Sequence, residues 1–508
     1  MTVRIGERLS LDQVVAVAFG EAVELPRAAA ERMQRSRAVV DRVVETGATV
    51  YGVTTGFGSL ADVRIRPEQA NDLQHAILRS HATAVGPLLS SAEARAMLLL
   101  RAHVLALGHS GVRVAIVERM LDMLNHDIVP AVPEQGSLGA SGDLAPLASL
   151  ALPLIGEGRV LDGAGATDAA GALATAGLAP LSLEAKEGLA LVNGTQGMLA
   201  IGILAASRVR SLCVTADVAA AMTIEAALGT DRPFDERLQA LRPHAGQAAS
   251  AANLRRLLAG SGITASHRES EHLVQDAYSL RCAPQVHGAT RDVLAFASGV
   301  LEIEAGSISD NPIVLPDTAD VVSGGNFHGQ PVAVALDALA LSVVPLASIA
   351  ERRLFRLLDP RSNNGLPAFL VRESGLNSGL MLAQYTAASL VSEMKTLAHP
   401  ASVDSIPSSA GQEDHVSMGM TSARHARDVV ASAEVVVALE ILAAAQGLDL
   451  RAPLRAAPGT AAALEAVRTV VAPLEVDRDL GPDIAVTTAA VRDGTIVAAV
   501  EAAVGALA

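Results

Sequence analysis

Apolar positions between residues 91 and 126 recur every three or four residues. SSAEARAMLLLRAHVLALG and GVRVAIVERMLDMLN keep that spacing on either side of Gly108 and Gly111, the period of helices that bury one face. In the second half the pattern lengthens and predicts helices over approximately 188–228, 284–306, 331–359, 376–397 and 421–447. Several are apolar nearly all round, as in VVASAEVVVALEILAAA at 429–445. A helix without a polar face is a buried helix, so these belong inside a thick bundle or between subunits. The first 60 residues read instead as short elements around an exposed turn, where YGVTTGFGSL at 51–60 holds three glycines and no helical period. A second turn-rich block, VPAVPEQGSLGASGDLAPLA at 129–148, places Asp143 to cap a helix entering at Pro146. The expected fold is mainly α: a large bundle of long, mostly antiparallel helices with a loop-rich N-terminal cap region. One continuous fold is expected, with an N-terminal region over 1–190 and a long-helix bundle over 191–508.

Composition narrows the choice. Half of the 508 residues are hydrophobic and 18% are charged, ample for a large core. With 7 Phe, 3 Tyr and no Trp, that core must be built from close-packed Ala, Val, Leu and Ile. A net charge of −15 argues against a nucleic-acid partner, which needs clustered Lys and Arg. Cys213 and Cys282 form neither a disulfide framework nor a zinc spacing, which suits a reducing compartment. The start, MTVRIGERLSLDQ, lacks the apolar region of a signal peptide. Later apolar stretches are interrupted by Asp337 and Pro345, or by Glu434 and Glu440, so none is expected to supply the roughly 18 clean apolar residues of a membrane span. A cytoplasmic protein with no membrane partner is the expectation. Histidines His81, His267, His272 and His415 show no HExxH or paired ligand spacing; HRESEH at 267–272 reads as a solvated loop, and no metal is required.

The chemistry concentrates in GSLGASGDLAPLA at 136–148. Ala140-Ser141-Gly142 taken alone is a small-residue loop ahead of a helix, or an anion nest. The thirteen-residue run as a whole resembles the signature of the histidine/phenylalanine ammonia-lyase family, in which Ala-Ser-Gly cyclises into methylidene-imidazolone. The residue types suit that reaction. Gly142 leaves its amide nitrogen open to attack the Ala140 carbonyl, Ser141 carries the hydroxyl whose loss leaves an exocyclic methylene, and Ala140 is small enough for the ring. Asp143, next in line, is placed to assist the dehydrations. Pyridoxal phosphate, the common alternative for amino-acid eliminations, requires a Schiff-base lysine. The chain has only Lys186 and Lys395, neither beside a phosphate-binding glycine motif, and Lys186 in LEAKEGLAL reads as a solvated helix-face residue. No pyridoxal phosphate is expected.

The resemblance runs from about residue 5 to about residue 485 and recurs in further blocks in family order: YGVTTGFG at 51–58, NGTQ at 193–196, VQDAYSLRCAPQVHG at 274–288, SDNPIV at 309–314, SGGNFHGQP at 323–331 and SVDSIPSSAGQEDHVSMG at 402–419. It implies catalytic roles for Tyr51, Tyr278 and Glu413, with Tyr51 as the loop acid/base near the substrate β-carbon. A free phenol titrates near pH 10, so such a role depends on environment. It implies that Arg281 clamps the substrate carboxylate, a bidentate task suited to guanidinium. Asn193 and Gln275, with Tyr278, resemble the polar shell around the prosthetic group and carboxylate; Phe327 resembles the ring packed beside the group, and Ser110 lies near it. Each has a plainer reading as a packing lid, a helix cap, a buried hydrogen-bonding residue or ordinary core.

Within that family the substrate follows from Ser80-His81, the pair of the histidine branch, and from Glu413, where the arene branches usually carry glutamine. Imidazole has N–H donors and can carry charge, so His81 and a carboxylate can grip it. A phenyl ring would leave a buried carboxylate unpaired at a cost of several kcal/mol. The implied reaction is non-oxidative elimination of ammonia from L-histidine to trans-urocanate; a tyrosine or phenylalanine ammonia-lyase, or an aminomutase with the same group, is the alternative. Thr54, Ala277, Gly411 and His287 depart from the family pattern. The resemblance also implies a homotetramer with active sites shared between subunits.

Overall fold

The computed structural model describes residues 2–66, 69–163, 165–269 and 274–508. The chain is mainly α, and the strands among the described residues form only short two-stranded pairings. Two compact units gather segments distant in sequence. One comprises Met1–Leu204, Ala297–Asp337 and Pro400–Arg424; the other comprises Ala205–Phe296, Ala338–His399 and His425–Ala508. A linear division at residue 190 does not describe that grouping.

The long helices Ala283–Ala305, Gln330–Leu358, Met381–Leu397 and Gly419–Leu450 lie within about five residues of the expected spans, and Gln196–Ala226 fills most of another. The region 91–126 is two helices, Ser91–Ala106 and Val114–Asn125, separated where Gly108 and Gly111 take φ of 82° and 69°. Ser90 starts the first with a reciprocal cap: its hydroxyl accepts from Glu93 N at 3.3 Å, and its own amide donates to Glu93 Oε2 at 2.8 Å.

Three expectations need correction. The first 60 residues are not only short elements, because Arg27–Thr46 is a 20-residue helix. Its buried positions Ala29, Met33, Ser36, Val39 and Val40 do keep helical spacing, but arginines and glutamates between them mask it. Gly47 ends this helix in the left-handed conformation. The single helix expected over 188–228 is two, Glu187–Val192 and Gln196–Ala226, parted at 193–195, whereas Gln330–Leu358 runs through Pro345 as the expected 331–359 span requires. Two helices, Gln196–Ala226 and Gln330–Leu358, are also long and apolar enough to cross a membrane, contrary to the sequence reading; 67% of the apolar window of each is buried inside the fold.

Charges inside the second unit are paired. Arg353 and Glu440 are both fully buried and meet through two bonds of 2.5 and 2.8 Å, while Thr223 donates to Glu440 at 2.8 Å. Asp217 accepts from Ser250, Asn253 and Arg291 at 2.5, 2.9 and 2.8 Å. His287, one of the departures from the family pattern, lies 2.7 Å from Asp217 through Nδ1 and 3.3 Å from Arg353 Nη1 through Nε2. Those partners assign the proton to Nδ1, and burial lowers its pKa so that the ring is neutral.

Candidate active site

Residues 139–142 form a tight turn in which Gly142 N faces Gly139 O at 3.4 Å. Ser141 sits at φ 51° and Gly142 at φ 83°, so a non-glycine residue holds a left-handed conformation at the point of interest. Segment 193–194 runs alongside. Gly194 N donates to Ser141 O at 3.1 Å and Asp143 N donates to Gly194 O at 2.8 Å. A Cβ on Gly142 would overlap the Gly194 carbonyl, which is the physical reason for glycine there. From the other flank Met418 N donates to Leu138 O at 3.1 Å, and Gly139 packs against the Ser417 backbone. The turn is thus clamped on both sides, with the two small neighbours and the tight reversal that cyclisation of Ala140-Ser141-Gly142 needs.

Asp143 occupies the N-cap position of Leu144–Ala151 but makes no side-chain cap. Its buried carboxylate instead accepts from Ser137 Oγ at 2.9 Å and Met198 N at 2.8 Å. Burial pushes its pKa up to about 6, against the hydrogen bonds from Met198, Ser137 and Gly197. Asn193 is also buried: its Nδ2 donates to Asn311 O at 2.7 Å, and its Oδ1 has no partner among the described residues. An orphaned acceptor beside this turn fits a site that holds a further polar group. Lys186 overturns its expected solvated role. It is fully buried, with Nζ 2.7 Å from the equally buried Asp310. It begins the helix Glu187–Val192, which delivers Asn193.

His81, Glu413 and Tyr51 belong to the same unit as the turn. A cavity of about 200 Å³ is lined by Ser80 and His81 together with Ala140 and Gly142. His81 Nδ1 lies 3.0 Å from Ser80 Oγ. Burial lowers its pKa, with the Ile77 carbonyl and the Glu413 charge pulling upward. Glu413 accepts from Ser408 Oγ at 2.9 Å, and its Oε1 stands 3.5 Å from where a side chain on Gly58 would begin. The amide of Gly58 donates to the Tyr51 hydroxyl at 3.2 Å, and Ser59 N donates to Ser409 Oγ at 3.1 Å. The loop at 51–60 is therefore docked on the loop at 408–413. Thr54 serves this loop structurally, donating to Ala48 O at 2.7 Å and accepting from Val50 N at 2.9 Å. Gly411 takes φ 87° in open space, a backbone requirement.

Phe327 is half-buried. Next to it, His328 stacks on His415 with ring centroids 5.7 Å apart, and Gly329 packs on Met198. Ser110 is buried, with no partner for its hydroxyl among the described residues. Gln275, Tyr278 and Arg281 fall in the other unit. Arg281 lies over the Tyr278 ring, 4.7 Å from its centroid, and its Nε is buried without a partner among the described residues. Gln275 and Arg281 line a cleft of about 1550 Å³, while Tyr278 is 71% exposed. Ala277 precedes this short helix at φ −63°, the value a proline would impose. His267 faces two carbonyls, Ile263 O at 2.9 Å and Gly229 O at 3.1 Å; His272 lies outside the described residues. Among the described residues no three His, Cys, Asp or Glu converge as metal ligands would.

Sequence reasoning missed Arg101, Asp310 and Glu304, which surround the segment 193–196. Arg101 bonds Asn193 O at 2.7 Å, and Thr195 Oγ1 donates to Glu304 at 2.5 Å. A signal existed for Arg101, a lone cation inside the apolar run LLLRAHVLALG.

A model of the aromatic amino acid lyase family matches residues 9–469. The chain is 54% identical over 506 residues to the histidine ammonia-lyase of Symbiobacterium thermophilum, covering 99% of each. Among solved structures, histidine ammonia-lyase from Trypanosoma cruzi superposes with a TM-score of 0.92 at 44% identity, over 99% of this chain and 96% of that one. Tyrosine aminomutase from Streptomyces globisporus does so with a TM-score of 0.96 at 40% identity, over the whole of both.

Proposed function

The chain belongs to the aromatic amino acid lyase family, and from that premise we propose that it eliminates ammonia from L-histidine to give trans-urocanate, the first step of histidine degradation. The observation that carries this reading is the cavity lined by His81 together with Ala140 and Gly142, with the Glu413 charge acting on His81. The 54% identical relative bears a histidine ammonia-lyase name over its full length. The methylidene-imidazolone formed from Ala140-Ser141-Gly142 supplies an electrophilic methylene that activates the substrate for loss of ammonia. The protein's own groups do the rest. Arg281, which has no ion-pair partner among the described residues, pairs with the substrate carboxylate through its planar fork. His81 and Glu413 hold the imidazole by accepting from and donating to its ring nitrogens, which a phenyl ring cannot answer. Tyr51, its hydroxyl fixed by the Gly58 amide, handles the proton at the β-carbon. Asn193 and Gln275 complete the polar shell, Tyr278 acts with them, and Phe327 packs beside the group. The working form is a cytoplasmic homotetramer whose sites combine Tyr51 and Glu413 with Tyr278 and Arg281 from different subunits.

Likeness to tyrosine aminomutase keeps one competing reading, lyase or mutase action on an arene amino acid. Incubating the purified protein separately with L-histidine, L-tyrosine and L-phenylalanine separates them. Urocanate absorbance should rise with histidine alone. Faster turnover of tyrosine, or a β-amino acid product, overturns the histidine assignment.

A further inference from the structure

Arg101 lies in the helix Ser91–Ala106 and is wholly buried. Its Nη1 makes both of its hydrogen bonds, to Asn193 O at 2.7 Å and to Gln196 Oε1 at 2.8 Å. Among the described residues its Nε and Nη2 meet no partner. Burial draws its pKa down to about 10 while the Asp310 carboxylate opposes the fall, so the guanidinium remains charged at neutral pH. A cation in such a place is costly, and its neighbours along the helix, Leu98, Leu99 and Leu100, are apolar and buried.

What Arg101 touches gives the cost a purpose. Asn193 and Gln196 flank Gly194, the residue that pairs with Ser141 and Asp143. A Cβ on Gly194 would stand 2.6 Å from Arg101 Nη1, and the Gly194 carbonyl leaves no room for a Cβ on Gly142. Guanidinium, Gly194 and Gly142 follow one another without a gap. Gln196 is itself held from behind, donating to Ser309 Oγ at 2.8 Å.

We propose that Arg101 is a positioning residue for maturation of the prosthetic group: by fixing segment 193–196 it holds Gly194 against the Ser141–Gly142 peptide. This rests on reading 140–142 as the precursor of methylidene-imidazolone. In that maturation Gly142 N bonds to the Ala140 carbonyl carbon. The Ala140 oxygen leaves as water with the amide hydrogens of Gly142 and Ser141, creating a carbon–nitrogen double bond to Ser141. The Ser141 Cα hydrogen and hydroxyl leave as a second water, creating the methylene. No oxidant or reductant is needed. Arg101 contributes through geometry. It keeps Gly194 N–H on the Ser141 carbonyl, where it favours loss of the Cα hydrogen, and it keeps the turn compressed so that Gly142 N faces its target.

Intact-mass measurement of the purified full chain tests this without relying on activity. Wild type should weigh two water molecules less than its encoded sequence. Arg101→Met should keep wild-type circular dichroism and subunit assembly yet mature about tenfold more slowly, leaving protein of the encoded mass in freshly made samples. Arg101→Lys, which keeps the charge but not the fork, should fall between them. Folded Arg101→Met that matures at the wild-type rate overturns the proposal. Should Arg101→Met fail to fold, Gln196→Leu decides, since it removes one acceptor and leaves Arg101 in place. Delayed maturation supports the role, and wild-type maturation overturns it. A wild-type chain of full encoded mass overturns the precursor reading itself, and this inference with it.

Discussion

At the scale of single residues, the site is a set of side chains whose partners limit what each can do. Ser141 combines a left-handed backbone with a hydroxyl that the proposed chemistry discards. Ser141→Ala leaves the packing of the turn intact, so the variant should fold with an unchanged melting temperature and show almost no urocanate formation. Normal turnover would remove 140–142 from the chemistry. Glu413 keeps one oxygen on Ser408 and faces the loop of Tyr51 with the other. Glu413→Gln preserves size and the Ser408 bond while removing the charge. Its kcat on histidine should drop about tenfold or more, ~1.4 kcal/mol of barrier, with KM changing far less. An unaltered kcat would return Glu413 to a loop-packing role. These positions stood out in the sequence because the proposed chemistry prescribes their residue types. Lys186 was not. Its flanking glutamates suggested a wet helix face, yet Glu187 is buried on Arg113 at 2.7 Å and Lys186 on Asp310.

At the scale of elements, the same ion pair fastens the start of the helix Glu187–Val192 to the segment bearing Asp310 and Asn311, 124 residues away. Asn311 in turn holds the Asn193 side chain at the helix end. Lys186→Met strands a buried carboxylate and should cost about 3–5 kcal/mol, read from urea unfolding. Lys186→Met with Asp310→Leu should recover most of that loss. Wild-type stability in the single variant would show that the pair contributes nothing. Long apolar helices were legible from period and length alone. Arg27–Thr46 was obscured by its charged face, and the break at Gly108 and Gly111 was visible because glycine is the residue that takes a positive φ without cost.

At the scale of the whole molecule, two consequences follow from burial and from assembly. His103 is buried, accepts from Gly6 N at 3.2 Å, and is pushed down to a pKa of about 4 by desolvation. An unfolded histidine titrates near 6.5. Between those values the unfolded chain binds a proton that the fold refuses, so stability falls as pH drops from 6.5 toward 4, by up to ~1.4 kcal/mol per unit from this group. Melting temperatures from pH 7 to 5 should decline less steeply in His103→Gln. An identical slope would show that other groups govern the acid response. Asp143, raised to about 6, works in the opposite direction, gaining stability as pH falls toward 4. For the assembly, Tyr51→Phe and Tyr278→Phe should each be inactive alone, and hybrids of the two should regain activity if a site draws those residues from different chains. No recovery in the hybrids would mean that each site is built within one subunit.

The order of residues by itself determined the helical class and the places of most long helices, and it supplied the residue types on which the proposed loop chemistry rests, because periodicity and residue type are local properties. Tertiary structure alone decided which charges are buried and what they hold. Arg101, Lys186 and His287 carry no local mark of their partners, since Asn193, Asp310 and Asp217 reach them from 92, 124 and 70 residues away. The cost of burying a charge is offset only by a partner brought in from such a distance, and that pairing exists only once the chain has folded.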